Sequence, residues 1–157
     1  MLNITLEEDK KLRELLSNLA EESKSKIVFL IDKSGQLISR SDSPDFSSDE
    51  ITFASLTAGN VAASEALSKL LGDKDLNHMF TETEEEGIYM ILVDDKFILV
   101  AIFNKELSNL GILRVKIKKY YPEIVKILRT ILERTKNESA VSEEINIDDI
   151  DLDSLFE

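Results

Sequence analysis

The run Phe97-Ile98-Leu99-Val100-Ala101-Ile102-Phe103 is apolar at every position, and Ile88-Tyr89-Met90-Ile91-Leu92-Val93 nearly so. Both runs are strand-length, rich in β-branched and aromatic residues, and separated by the tight pair Asp94-Asp95, so they read as a hairpin of strands Ile88–Val93 and Lys96–Phe103. An antiparallel strand with one wet face alternates apolar and polar side chains; these do not alternate. Both faces of the sheet they form must therefore be covered, by helices or by a partner.

The rest of the chain supplies such layers. Thr5 with Glu8 forms a capping-box pattern, and Leu12, Leu15, Leu16 and Leu19 follow at helical spacing, predicting a first helix from about Leu6 to Ser23. Ile27-Val28-Phe29-Leu30-Ile31 reads as a strand, and Asp32-Lys33-Ser34-Gly35 as a turn into a return strand, Gln36–Ser39. Ser47 with Glu50 suggests a second capping box for a long helix ending at Leu71, with Gly72 just beyond it. A third strand is expected over Met79–Glu84, and a third helix over about Asn109–Lys136, broken or kinked at Pro122. The order α-β-β-α-β-β-β-α gives an α+β fold: an antiparallel five-stranded sheet with helices on its faces.

Composition removes several functional classes. The 157 residues suffice for one compact domain but hardly for two. There is no cysteine, so no disulfide and no Cys-based zinc or redox site, and a cytoplasmic setting is expected. No apolar stretch approaches bilayer length and no basic-then-apolar leader opens the chain, so the expectation is a soluble protein without membrane insertion. The net charge is −12, and the eight acidic residues of Asn137–Glu157 account for all but −4 of it. An acidic body with an acidic tail repels phosphate backbones, which argues against nucleic acid as partner.

Catalytic chemistry has few candidates. The single histidine, His78, stands beside apolar Met79 and Phe80 and reads as a loop or strand-edge residue. The five glycines form no phosphate-cradling loop, and no metal ligand set or cofactor motif is present. Asp94-Asp95 and Asp148-Asp149 lack the alternating spacing of a calcium loop.

The middle helix carries the strongest signal. Ala54, Ala58, Ala62 and Ala66 recur at i+4, and Gly59 and Ala63 widen this strip of small residues. One reading packs the strip against the chain's own sheet. The other takes Phe53, Leu56, Leu67, Leu70 and Leu71 as the core-facing side, leaving the strip smooth and open to another molecule. Gly59 costs roughly 1 kcal/mol relative to Ala inside a helix, which a close approach would explain.

Ser55-Leu56-Thr57-Ala58-Gly59-Asn60-Val61-Ala62-Ala63-Ser64-Glu65-Ala66-Leu67, followed by Phe97–Phe103 and Leu110-Gly111-Ile112-Leu113-Arg114-Val115-Lys116, resembles the Roadblock domain, particularly its bacterial MglB subgroup. The resemblance covers about Leu6 to Lys136. It implies a Roadblock/profilin-like layered domain over 1–136 and a homodimer whose sheets join edge to edge at the third strand, where Thr81 and Thr83 would lie. It also implies that the paired middle helices bind a Ras-like small GTPase of the MglA type. Ala58, Gly59, Ala62 and Ala63 would then be contacts, with Asn60 and Glu65 as polar ones. MglB relatives accelerate GTP hydrolysis without an inserted arginine, acting through the GTPase's own residues in cell polarity and motility; this chain would be a GTPase activator, not itself an enzyme. Arg40, in the loop expected after the second strand, is the best placed arginine should one be inserted; Arg114 is expected on the outer face of the third helix.

Residues 137–157 extend past such a domain. Leu152, Leu155 and Phe156 among acidic neighbours suit a segment that takes up structure on a partner, and some MglB relatives touch the GTPase with such extensions; a solubilising tail is the alternative. Two other functions compete with GTPase activation: a non-catalytic Roadblock scaffold, and a sensory module, which would need an internal cavity with convergent polar groups.

Overall fold

The computed structural model describes residues 2–44, 46, 49–72 and 76–156, with side chains described as far as 141. Its elements are α1 (Leu6–Ser23), β1 (Ile27–Asp32), β2 (Leu37–Arg40), α2 (Glu50–Leu70), β3 (His78–Glu82), β4 (Glu86–Val93), β5 (Phe97–Asn104) and α3 (Leu110–Phe156). The expected α+β order and the five-stranded antiparallel sheet are both present. The strands lie in the order β2-β1-β5-β4-β3, so the wholly apolar β5 is central and β3 forms one edge.

Local chemistry explains the boundaries. The Thr5 hydroxyl accepts from Glu8 N–H at 3.1 Å while the Glu8 carboxylate accepts from Thr5 N–H at 3.0 Å, closing the expected capping box. Asp94 and Asp95 both adopt positive φ, 54° and 59°, and Lys96 N–H bonds the Val93 carbonyl at 3.2 Å, the geometry of a type I′ turn. The second helix differs from expectation: its cap is Asp49, whose carboxylate accepts from Ile51 and Thr52 N–H, and Ser47 lies outside the described residues. Gly72, at φ 84°, follows that helix as foreseen.

The sheet separates two apolar layers. On one side α1 and α3 pack Leu12, Leu16, Leu19, Leu113, Ile124, Leu128 and Ile131 against Val28, Leu30, Leu99 and Phe103. Burying each such side chain stabilises the fold by about 1.5–3 kcal/mol. On the other side α2 stands alone over Ile27, Phe29, Ile31, Met90, Ile98, Val100 and Ile102. Its share of that layer is small-sided: Ala54, Thr57, Ala58 and Val61. Helix and β-hairpin consequently approach closely. A Cβ built on Gly35, at the β1–β2 turn with φ 95°, would sit 3.1 Å from the Ser55 Cα.

The third helix departs most from the reading of the sequence. It passes through Pro122 without a break, and its helical backbone continues beyond Lys136 to Phe156. A proline costs one hydrogen bond; Leu113, Ile117, Ile124, Leu128 and Ile131, buried on both sides of it, hold the helix to the core.

Candidate functional site

The orientation of α2 decides what this molecule presents to others. Burial is concentrated at Ala54, Thr57, Ala58 and Val61, so the small side faces the sheet. The large residues expected to face the core point away from it: Leu56 is 69% exposed, Leu67 61%, Leu70 84% and Leu71 80%, and only Phe53 turns inward, half-buried. This corrects the expectation. The reason is steric: alanines let the helix backbone settle onto the sheet and the Gly35 turn, whereas leucines there would hold it off.

The strip of small residues is accordingly split. Ala58, 6% exposed, belongs to the core. Gly59, Asn60, Ala62 and Ala63 are exposed, and a Cβ built on Gly59 would meet nothing within 4 Å. Glu65 is half-buried and takes an ion pair at 3.1 Å from Lys33 of the β1–β2 turn, so it fastens the helix to the hairpin rather than standing on the outer face. Leu56, Gly59, Ala63, Leu67 and Leu70 recur at three- and four-residue steps and form one apolar stripe. Contiguous exposed apolar surface of this kind marks an interaction face. The signal in the sequence was the near absence of charge: of the 21 residues of α2, only Glu50, Glu65 and Lys69 are ionisable.

The sheet beneath is also incompletely covered. Met79, Ile88 and Leu92 pack against the α2-side layer but remain half-buried. They lie on β3 and β4, toward the open edge. Thr81 is exposed on that edge strand. Thr83 lies past its end, where its N–H and hydroxyl engage Glu86 to close the β3–β4 turn, because the strand begins at His78 and stops at Glu82. His78 is exposed at the start of β3, its ring 5.8 Å from that of Tyr89.

Arg40 is not in a loop. It ends β2, pairs with Glu50 at the start of α2, and donates to the carbonyls of Ser41 and Ser43 at 3.2 and 3.1 Å. Its guanidinium lies 5.9 Å from the ring centroids of both Phe29 and Phe46. So engaged, it anchors the N-terminus of α2 and is not poised for insertion into another molecule. Arg114 is exposed on α3, as expected. Leu152, Leu155 and Phe156 lie beyond the residues whose side chains are described. Among the described residues no group of three or more His, Cys, Asp or Glu could hold a metal ion, and no helix is long and apolar enough to cross a membrane.

A five-stranded antiparallel sheet with α1 and α3 on one face and α2 alone on the other defines the layered α+β class of Roadblock-type domains. The Roadblock/LC7 domain model matches residues 11–103, and the chain belongs to that family. Among solved structures it is similar to Myxococcus xanthus MglB, at 38% identity over 76% of this chain and 96% of that one, with a TM-score of 0.69. It is similar also to the gliding protein MglB of Thermus thermophilus, at 26% identity over 80% and 94% of the chains, with a TM-score of 0.71. A Roadblock/LC7 domain from Streptomyces avermitilis, 15% identical over 74% of this chain and 97% of that one with a TM-score of 0.65, shares the fold. None of the curated proteins is a significant match.

Proposed function

We propose that this chain is a regulator of a Ras-like small GTPase of the MglA type, binding it as a homodimer and stimulating its GTP hydrolysis. The observation that carries the reading is the exposed stripe of α2, Leu56-Gly59-Ala63-Leu67-Leu70, on a Roadblock domain similar to MglB. In the proposed dimer the open β3 edges join, Thr81 lies at the junction, and the two α2 helices come side by side. The half-covered Met79, Ile88 and Leu92 are apolar surface that such a partner would seal. Gly59, Ala62 and Ala63 then form a smooth floor on which the GTPase rests, with Asn60 beside it as a hydrogen-bonding group.

The chain contributes no catalytic group of its own in this reading. Arg40, the arginine closest to α2, is engaged internally, so the effect on hydrolysis is exerted by arranging residues of the GTPase itself. The test is phosphate release by the organism's Ras-like GTPase with and without this protein, together with complex formation in the GTP- and GDP-bound states. Acceleration with preference for the GTP form supports activation. Nucleotide-indifferent binding without acceleration would instead assign a scaffold, and no binding in either state would sink both.

A further inference from the structure

A groove on the opposite side of the sheet from α2 takes no part in that reading. It is an open depression of about 330 Å³ between β4 and the first half of α3, lined by Tyr89, Ile91, Ile117, Tyr121 and Pro122 together with Arg114 and Lys118. Arg114 and Lys118 are exposed and one helical turn apart. Among the described residues, Lys116 and Lys119 pair with Glu22 and Arg129 with Asp94, whereas Arg114 and Lys118 have no ion-pair partner. An apolar trough flanked by two unpaired cations calls for a ligand that is apolar and acidic at once.

The chain carries a segment of that chemistry. Ile145, Leu152 and Phe156 recur at helical spacing of seven and four, and Asp149 and Asp153 are four apart, matching the spacing of Arg114 and Lys118. The segment has no basic residue. Because α3 is one helix from Leu110 to Phe156, Leu152 lies about 57 Å along the axis from Arg114 at about 1.5 Å per residue, out of reach of its own groove. We propose that the acidic, apolar end of α3 docks in the Arg114–Lys118 groove of a second copy of this chain, Asp149 and Asp153 pairing with the two cations while Leu152 and Phe156 enter the trough. This contact is separate from the α2 face and does not rest on the GTPase reading.

The test uses the full chain with benzoylphenylalanine in place of Phe156, mixed in equal parts as ordinary and ¹⁵N-labelled protein, irradiated, and mapped by mass spectrometry. The expected crosslinks join Phe156 of one isotope to the segment 114–121 or to β4 of the other. Arg114→Glu with Lys118→Glu lowers their yield by about tenfold, as does raising the salt, and Asp149→Lys with Asp153→Lys in that same variant restores them. Crosslinks confined to single isotopes, crosslinks elsewhere, indifference to charge reversal and salt, or no crosslink at all would each overturn the proposal.

Discussion

The guanidinium of Arg40 pairs with the carboxylate of Glu50, tying the last residue of β2 to the first of α2. The same side chain donates to two loop carbonyls and lies over two phenylalanine rings, so it joins strand, loop and helix at one point. Replacing it by alanine leaves Glu50 and the Ser41 carbonyl without that donor, while the Ser43 carbonyl keeps the Phe46 N–H at 3.1 Å. The expected cost for Arg40→Ala is about 1–3 kcal/mol of unfolding free energy in urea. Stimulation of hydrolysis by the folded fraction should be unchanged. An inserted arginine would show the reverse pattern, a loss of about 1000-fold in rate with stability intact.

Ala58 and Gly59 are adjacent, about 100° apart around the helix, and that turn carries one against the sheet and the other into open space. Gly59→Arg should leave circular dichroism and melting temperature near those of the parent while weakening GTPase binding at least about tenfold. Ala58→Arg should unfold the protein, because a guanidinium cannot be buried there without a partner. A Gly59→Arg protein that stays folded but becomes monomeric would assign this surface to assembly instead.

Gly87 leaves room for the ring of Phe103: an added Cβ would stand 2.5 Å from its Cζ. That ring also stacks on Phe80 of β3, at 6.1 Å between centroids. Gly87→Ala should therefore displace the ring and cost about 1–3 kcal/mol, measurable as a lower urea midpoint at constant slope. Dimerisation would weaken in parallel if β3 is the joining edge.

Acid should loosen the attachment of α3. Hydrogen bonds from Arg129 hold the Asp94 carboxyl below its usual value, and those from Arg134 do the same for Glu8. A carboxyl whose pKa is lowered by folding contributes stability that is fully present above its unfolded value, near 4, and lost as pH falls through the folded value. Melting temperature should thus be insensitive to these pairs from pH 7 to about 5 and fall below pH 4. Asp94→Asn should flatten that fall, its curve converging with the parent's at the acid end.

Asp95 holds a left-handed conformation at φ 59°, unfavourable for a residue with a Cβ. Unlike Asp94, which accepts two 2.9 Å hydrogen bonds from Arg129, it has no side-chain ion pair among the described residues. Asp95→Gly should raise stability by up to about 1 kcal/mol, visible as a higher melting temperature.

Features that depend on neighbours in the chain could be read in advance. The Thr5–Glu8 capping box, the Asp94-Asp95 turn and the apolar run through β5 each follow from residues within a few positions of one another. The strip of small residues was also legible, as was the family. What could not be read was the rotation of α2 about its axis. Ala54, Ala58 and Val61 make as plausible a core face as Leu56, Leu67 and Leu70, because the three ionisable residues of α2, Glu50, Glu65 and Lys69, mark no outer side. The fate of Pro122 was equally hidden, since its local cost is offset by side chains of α1 and the sheet far away in sequence.

The sequence by itself determined the elements, their order and the layered class, because periodicity, capping and turn chemistry act over a few residues. It also determined that a helix nearly devoid of charge must meet something apolar. Only the tertiary structure decided which side of that helix meets the sheet. The close approach to Phe29, Ile31 and the Gly35 turn admits alanine and excludes leucine, and so the leucines, with Gly59 and Ala63 between them, are left facing outward.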